Sequence, residues 1–157
     1  MDISPAHEAA RIEASRLPAL HASLALLQQT DPEAVTRATI EIYGTTRPPA
    51  GDPPGGSPVV TLTLTAAAGS VSEELIELTL NPSPNAMITG ADESTGTIPV
   101  WARIKTPNDS WWADVSVSVE GDGGEITIPQ TGTEGGTPVA RLFNGATLTL
   151  IEAKVKG

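Results

Sequence analysis

The sequence predicts a mainly β protein, an antiparallel β-sandwich of about seven strands with an N-terminal α-helical arm. Three features carry this. Apolar residues recur at helical three-four spacing only in the first third, at Leu17, Leu20, Leu24 and Leu27. From Ala38 onward the apolar period is two, and turns rich in glycine and proline break the chain at roughly even spacing with no helical pattern between them. Residues 1–35 form the arm and residues 36–157 the sandwich.

In the arm, Ser4 and Pro5 make a cap and first-turn pair, followed by Glu8 and Glu13 where the helix dipole favours acids. The leucine stripe defines one face to be buried, either on the protein's own sandwich or on a neighbouring subunit. Pro18 interrupts the stripe and predicts a kink, or two abutting helices, near Leu17. Asp31-Pro32-Glu33 starts a fresh turn, so the helix should stop near Gln29 or Thr30.

The first strand alternates Ala38, Ile40 and Ile42 with Thr39, Glu41 and Tyr43, and Gly44 ends it. Residues 47–58 hold too many prolines and glycines for a ladder and form a loop. Val60, Leu62 and Leu64 define the next strand, Ile76, Leu78 and Leu80 another, and Ala86 to Thr89 a short edge strand. Ile98, Val100, Ala102 and Ile104 share a face opposite Trp101 and Arg103. After the turn at 106–110, Trp111, Ala113, Val115, Val117 and Val119 fall in one phase, which makes Trp111 a core candidate. Gly121-Asp122-Gly123-Gly124 turns the chain into a strand from Glu125 to Ile128, and Thr131 to Pro138 is a loop. Leu148 and Leu150 lie in one phase and Ile151, Ala153 and Val155 in the other, which predicts a β-bulge near Leu150 and Ile151.

Composition narrows the function. Nineteen acidic against nine basic residues give a net charge of −10, which repels a phosphate backbone and disfavours nucleic-acid binding. No cysteine is present, so disulfides, thiol nucleophiles and zinc knuckles are out of reach. The start at Met1-Asp2-Ile3-Ser4-Pro5 has no basic segment leading into an apolar run, and no stretch has the length of a membrane span, so a soluble chain is expected.

Catalytic patterns find no support. His7 and His21 both lie on the arm, without a nucleophile elbow or paired-ligand spacing. Asp122-Gly123-Gly124-Glu125 lacks the regular oxygen ligands of a calcium loop, and the adjacent acids Glu73-Glu74 and Asp92-Glu93 are solvated neighbours rather than an acid/base pair. No glycine motif of a phosphate loop occurs, so no cofactor or metal is expected and the chain is expected not to be an enzyme. Trp101 and Trp112 share a phase opposite the core and are expected to pair across their strands on a surface that binds protein, or sugar rings in a carbohydrate-binding module.

The segments Ala38 to Pro48, Val59-Val60-Thr61-Leu62-Thr63-Leu64, Gly96-Thr97-Ile98-Pro99-Val100-Trp101-Ala102-Arg103-Ile104, Gly123 to Ile128 and Asn144-Gly145-Ala146-Thr147-Leu148-Thr149-Leu150, behind a short helical arm, resemble small virion structural proteins of tailed bacteriophages. That resemblance implies a non-enzymatic protein of the virion, assembled in the host cytoplasm, that decorates the capsid or reinforces the head or neck. A tail or tail-tip component is the alternative within the same class. Its partners would be the major capsid protein or other virion proteins, and copies of itself in a homo-oligomer. The expected partner-binding residues are Leu17, Leu20, Leu24, Leu27, Trp101 and Trp112.

Overall fold

A computed structural model describes residues 3–31 and 33–156. Helix α1 spans Pro5–Ala25, with the Ser4 hydroxyl accepting a hydrogen bond from the His7 N–H at 3.2 Å and Pro5 in the first turn. It is one helix: Pro18 lies inside it and does not divide it. Its end at Ala25, capped by Leu26, falls earlier than the expected Gln29 or Thr30. The cause is tertiary. The Gln29 N–H donates to the Ala66 carbonyl at 3.3 Å, so the backbone leaves the helix to bond a neighbouring strand. Of the turn expected at Asp31-Pro32-Glu33, Pro32 lies outside the described residues.

Seven strands close into a barrel: β1 (Thr39–Tyr43), β2 (Val60–Ser72), β3 (Glu77–Pro82), β5 (Trp101–Lys105), β6 (Trp111–Val119), β7 (Ile126–Ile128) and β11 (Glu152–Lys156). Their order is β1-β2-β3-β11-β7-β6-β5, and β5 returns to β1. The fold is therefore mainly β with one N-terminal helix, but the expected antiparallel sandwich is replaced by a closed barrel of mixed strands. Closure occurs because β1 pairs on both edges, with β2 through Ile40 opposite Leu62 and with β5 through Ile40 opposite Ile104. A sandwich would have left those edges open.

The mixed direction comes from β7, which runs parallel to β6 with Val117 opposite Ile126. A parallel neighbour normally needs a long crossover. Here residues 120–125 instead double back along β6, until the Glu125 carboxylate accepts a hydrogen bond from the Ser116 N–H at 2.8 Å. Glycine makes this retracing possible: Gly123 has φ of +77°, and a Cβ on Gly124 would sit 2.7 Å from the Ser118 hydroxyl oxygen.

The interior holds most of the alternating residues the sequence marked, but Val100, expected on the face of Ala102 and Ile104, precedes the strand that starts at Trp101 and is 51% exposed. Ile40, Ile42, Leu62, Leu78, Ala102 and Ile104 have no exposed surface. β2 changes partner midway, pairing with β1 up to Thr63 and with β3 from Leu64, and the register shift between Leu64 and Gly69 bends it around the wall.

Two small ribbons lie outside the barrel. β4 (Ala86–Met87) pairs with β10 (Thr147–Leu148), and β8 (Gly132–Glu134) pairs with β9 (Thr137–Val139) as a hairpin in the segment expected to be a loop. The predicted bulge at Leu150 and Ile151 is instead a break: β10 joins the ribbon and β11 the barrel wall.

Candidate functional site

The residues expected to bind partners separate into two places. Leu20, Leu24 and Leu27 are buried in the protein's own core, and Leu17 is half-buried where the helix leaves it. Trp112 joins them from β6, its indole N–H donating to the Ser23 carbonyl at 3.2 Å. The stripe thus seats the C-terminal half of α1 on its own barrel.

Trp101 lies elsewhere. Its strand neighbour across β5 and β6 is Ser116, not Trp112, and its ring stacks on Tyr43 with centroids 4.5 Å apart. Only 1% of it is exposed. The Arg103 guanidinium stands 5.6 Å from its ring centre, in cation-π range, and bonds both oxygens of Asp114 at 2.7 and 2.8 Å. The loop of residues 44–58 closes over this outer face of the barrel. Thr45 accepts from the Trp101 indole at 2.9 Å, Asp52 accepts from Arg103 at 2.8 Å, and Arg47 donates to the Asp114 carbonyl at 2.6 Å. Burial raises the Tyr43 phenol above its ordinary range, reinforced by its hydrogen bond to Glu41 at 2.7 Å. Burial would raise Asp114 as well, but its bonds to Arg103 outweigh that and hold it below the usual carboxylate range. The cluster is a second, polar and aromatic core, sealed by its own loop; it presents no stacking face to a sugar.

Trp111, expected in the core, is 47% exposed. The β5–β6 register shifts between Ile104 and Lys105, so that Trp111 faces Lys105 and the alternation read from Ala113 does not extend back to it.

A groove follows one flank of α1. Ile12, Ser15, Arg16, Ala19, Leu20 and Ser23 form its helical wall, and Leu78, Trp112, Val155 and Lys156 the barrel wall, around a cavity of about 310 Å³. It continues past Trp112 into a second hollow of about 590 Å³ edged by Leu26 and Trp111. Ile12 at 59% and Leu26 at 62% exposed, with Trp111, give this flank three large apolar side chains in water. Residues 4–16 are all exposed, and the stretch before Ile12, about two turns of helix, lies beyond the groove and stands clear of the barrel. Ile12 and Leu26 fall outside the leucine stripe; their only signal is a second three-four row, Ala9, Ile12, Arg16, Ala19, Ser23 and Leu26, beside the first.

A separate cleft of about 570 Å³ lies between the β8–β9 hairpin and β10, with Val139, Leu142 and Leu148 among its lining and Phe143 at 47% exposed beside it. Among the described residues no group of three or more His, Cys, Asp or Glu is gathered as a metal site, and no helix is long and apolar enough to cross a membrane.

Compared with known proteins, the chain matches no family model, no curated protein and no solved structure.

Proposed function

We propose that the chain is a non-enzymatic structural protein of a tailed-bacteriophage virion, which assembles with copies of itself and attaches to the head or neck through protein–protein contacts. The observation that carries this is the arm: α1 is fixed to the barrel by Leu20, Leu24 and Leu27, while its first two turns extend into solvent. Those turns bury nothing on the protein's own barrel, so their surface is open to another protein. The net charge of −10 suits a protein that stays soluble before assembly and avoids nucleic acid. The resemblance of the Thr-rich strands and glycine turns to virion proteins supplies the setting.

Co-sedimentation with purified capsids that lack the protein tests the proposal. Saturable pelleting of the full chain, lost when residues 1–16 are deleted, is expected. A full-length chain that remains in the supernatant overturns attachment to the head.

A further inference from the structure

We infer that the exposed half of α1 is covered by α1 of a second copy, the two helices running antiparallel about a two-fold axis at Ile12, with each arm's first turns in the other copy's groove. This rests on the proposed role of the arm in assembly and names what it meets. Three observations on the helix select a second copy.

The first is charge. With the axis at Ile12, each residue lies level with the one equally far beyond Ile12 in the second copy. Glu8 and Arg16 each stand four positions from Ile12, so Glu8 of each copy comes level with Arg16 of the other. Lys156 lines the same groove as Arg16, so Glu8 of the second copy enters a groove that carries two cations. Arg16 also pairs with Glu13 of its own helix at 2.9 Å while lining the groove.

The second is shape. The residues brought opposite the groove are small: Pro5 comes level with Ala19 and Ala9 with Ser15, so the helical backbones can approach closely. The third is that the arrangement closes. The same patch is used on both copies, and the exposed Ile12 side chains meet at the axis where both are withdrawn from water.

Analytical ultracentrifugation of the full chain, with no capsid present, tests the inference. A concentration-dependent dimer is expected. Glu8→Arg and Arg16→Glu should each weaken it about tenfold or more, because each sets like charges together at both symmetry-related contacts. Mixing the two variants should restore association, since their heterodimer again carries opposite charges at both contacts. Both positions are exposed, so neither substitution threatens the fold. A chain that stays monomeric, a dimer that neither variant weakens, or weakened variants that do not recover on mixing overturns the inference. No particle enters this assay, so its failure leaves the capsid result standing, and failure of capsid binding leaves the dimer standing.

Discussion

Arg103 and Asp114 face each other across β5 and β6 with two hydrogen bonds and almost no exposed side-chain surface, 6% and 1% respectively. Removing one partner would leave a buried charge without its counter-ion. Asp114→Ala is expected to cost about 3–5 kcal/mol in urea unfolding. Replacing both residues by apolar ones, Arg103→Met with Asp114→Leu, should cost less than the sum of the single changes. Simple additivity would mean that the two groups are not coupled.

The same cluster contributes a pH dependence to stability at both ends of the scale. Asp114 titrates below its ordinary value of 3.8 in the folded protein, so the stability it contributes is complete above that value and drains away as pH falls through the lower, folded one. Tyr43 has the opposite sign at the other end of the scale. Its folded value is raised above 10.0, so its contribution is complete below 10.0 and is lost as pH climbs toward the folded value. Tyr43 is the one tyrosine in the chain, so tyrosinate absorbance reports on it directly. The native protein should show no ionisation near pH 10, and the urea-unfolded chain a normal titration there.

What alternation could and could not reveal follows from this cluster. Ile40, Ile42, Leu62 and Ile104 were legible as core because period two fixes which side chains share a face. It does not say whether the opposite face meets water. Tyr43, Trp101 and Arg103 are buried because the proline-rich loop folds over them through Thr45 and Asp52, contacts between residues far apart in sequence. Barrel closure was hidden for a related reason. It depends on the second edge of β1 and on the glycine turn that sends β7 back parallel to β6, where local patterning showed only a turn into an antiparallel fold. The leucine stripe showed that a face is buried, but not on what.

The three tryptophans divide by environment in a way that collisional quenching resolves. Trp101 is sealed, Trp112 is half-buried against Ser23, and Trp111 is 47% exposed beside the groove. Trp111→Phe should remove most of the emission accessible to iodide, and Trp101→Phe should leave the accessible fraction higher than before. Equal loss from both variants would show that the loop of residues 44–58 does not close over Trp101 in solution.

The boundary between the two halves of α1 should appear as a sharp change in the effect of truncation. Residues 4–16 are all exposed and meet the barrel only along the groove at Ile12, Ser15 and Arg16, so deleting residues 1–16 should leave the unfolding midpoint of the remaining fold nearly unchanged. Leu27, at 1% exposure, is different: Leu27→Ala should cost about 2–5 kcal/mol, whereas Leu17→Ala, half-exposed at the point of exit, should cost much less. Deleting through Gln28 removes Leu20, Leu24 and Leu27 together, along with the Gln28 side-chain amide that donates to the Ala67 carbonyl at 3.5 Å beside the strand bend. That chain is expected to lose cooperative unfolding and to bind a hydrophobic dye, because the barrel surface under the stripe is opened to water. Cooperative unfolding retained after the longer deletion would mean that the barrel closes without its helix and that the stripe serves another surface.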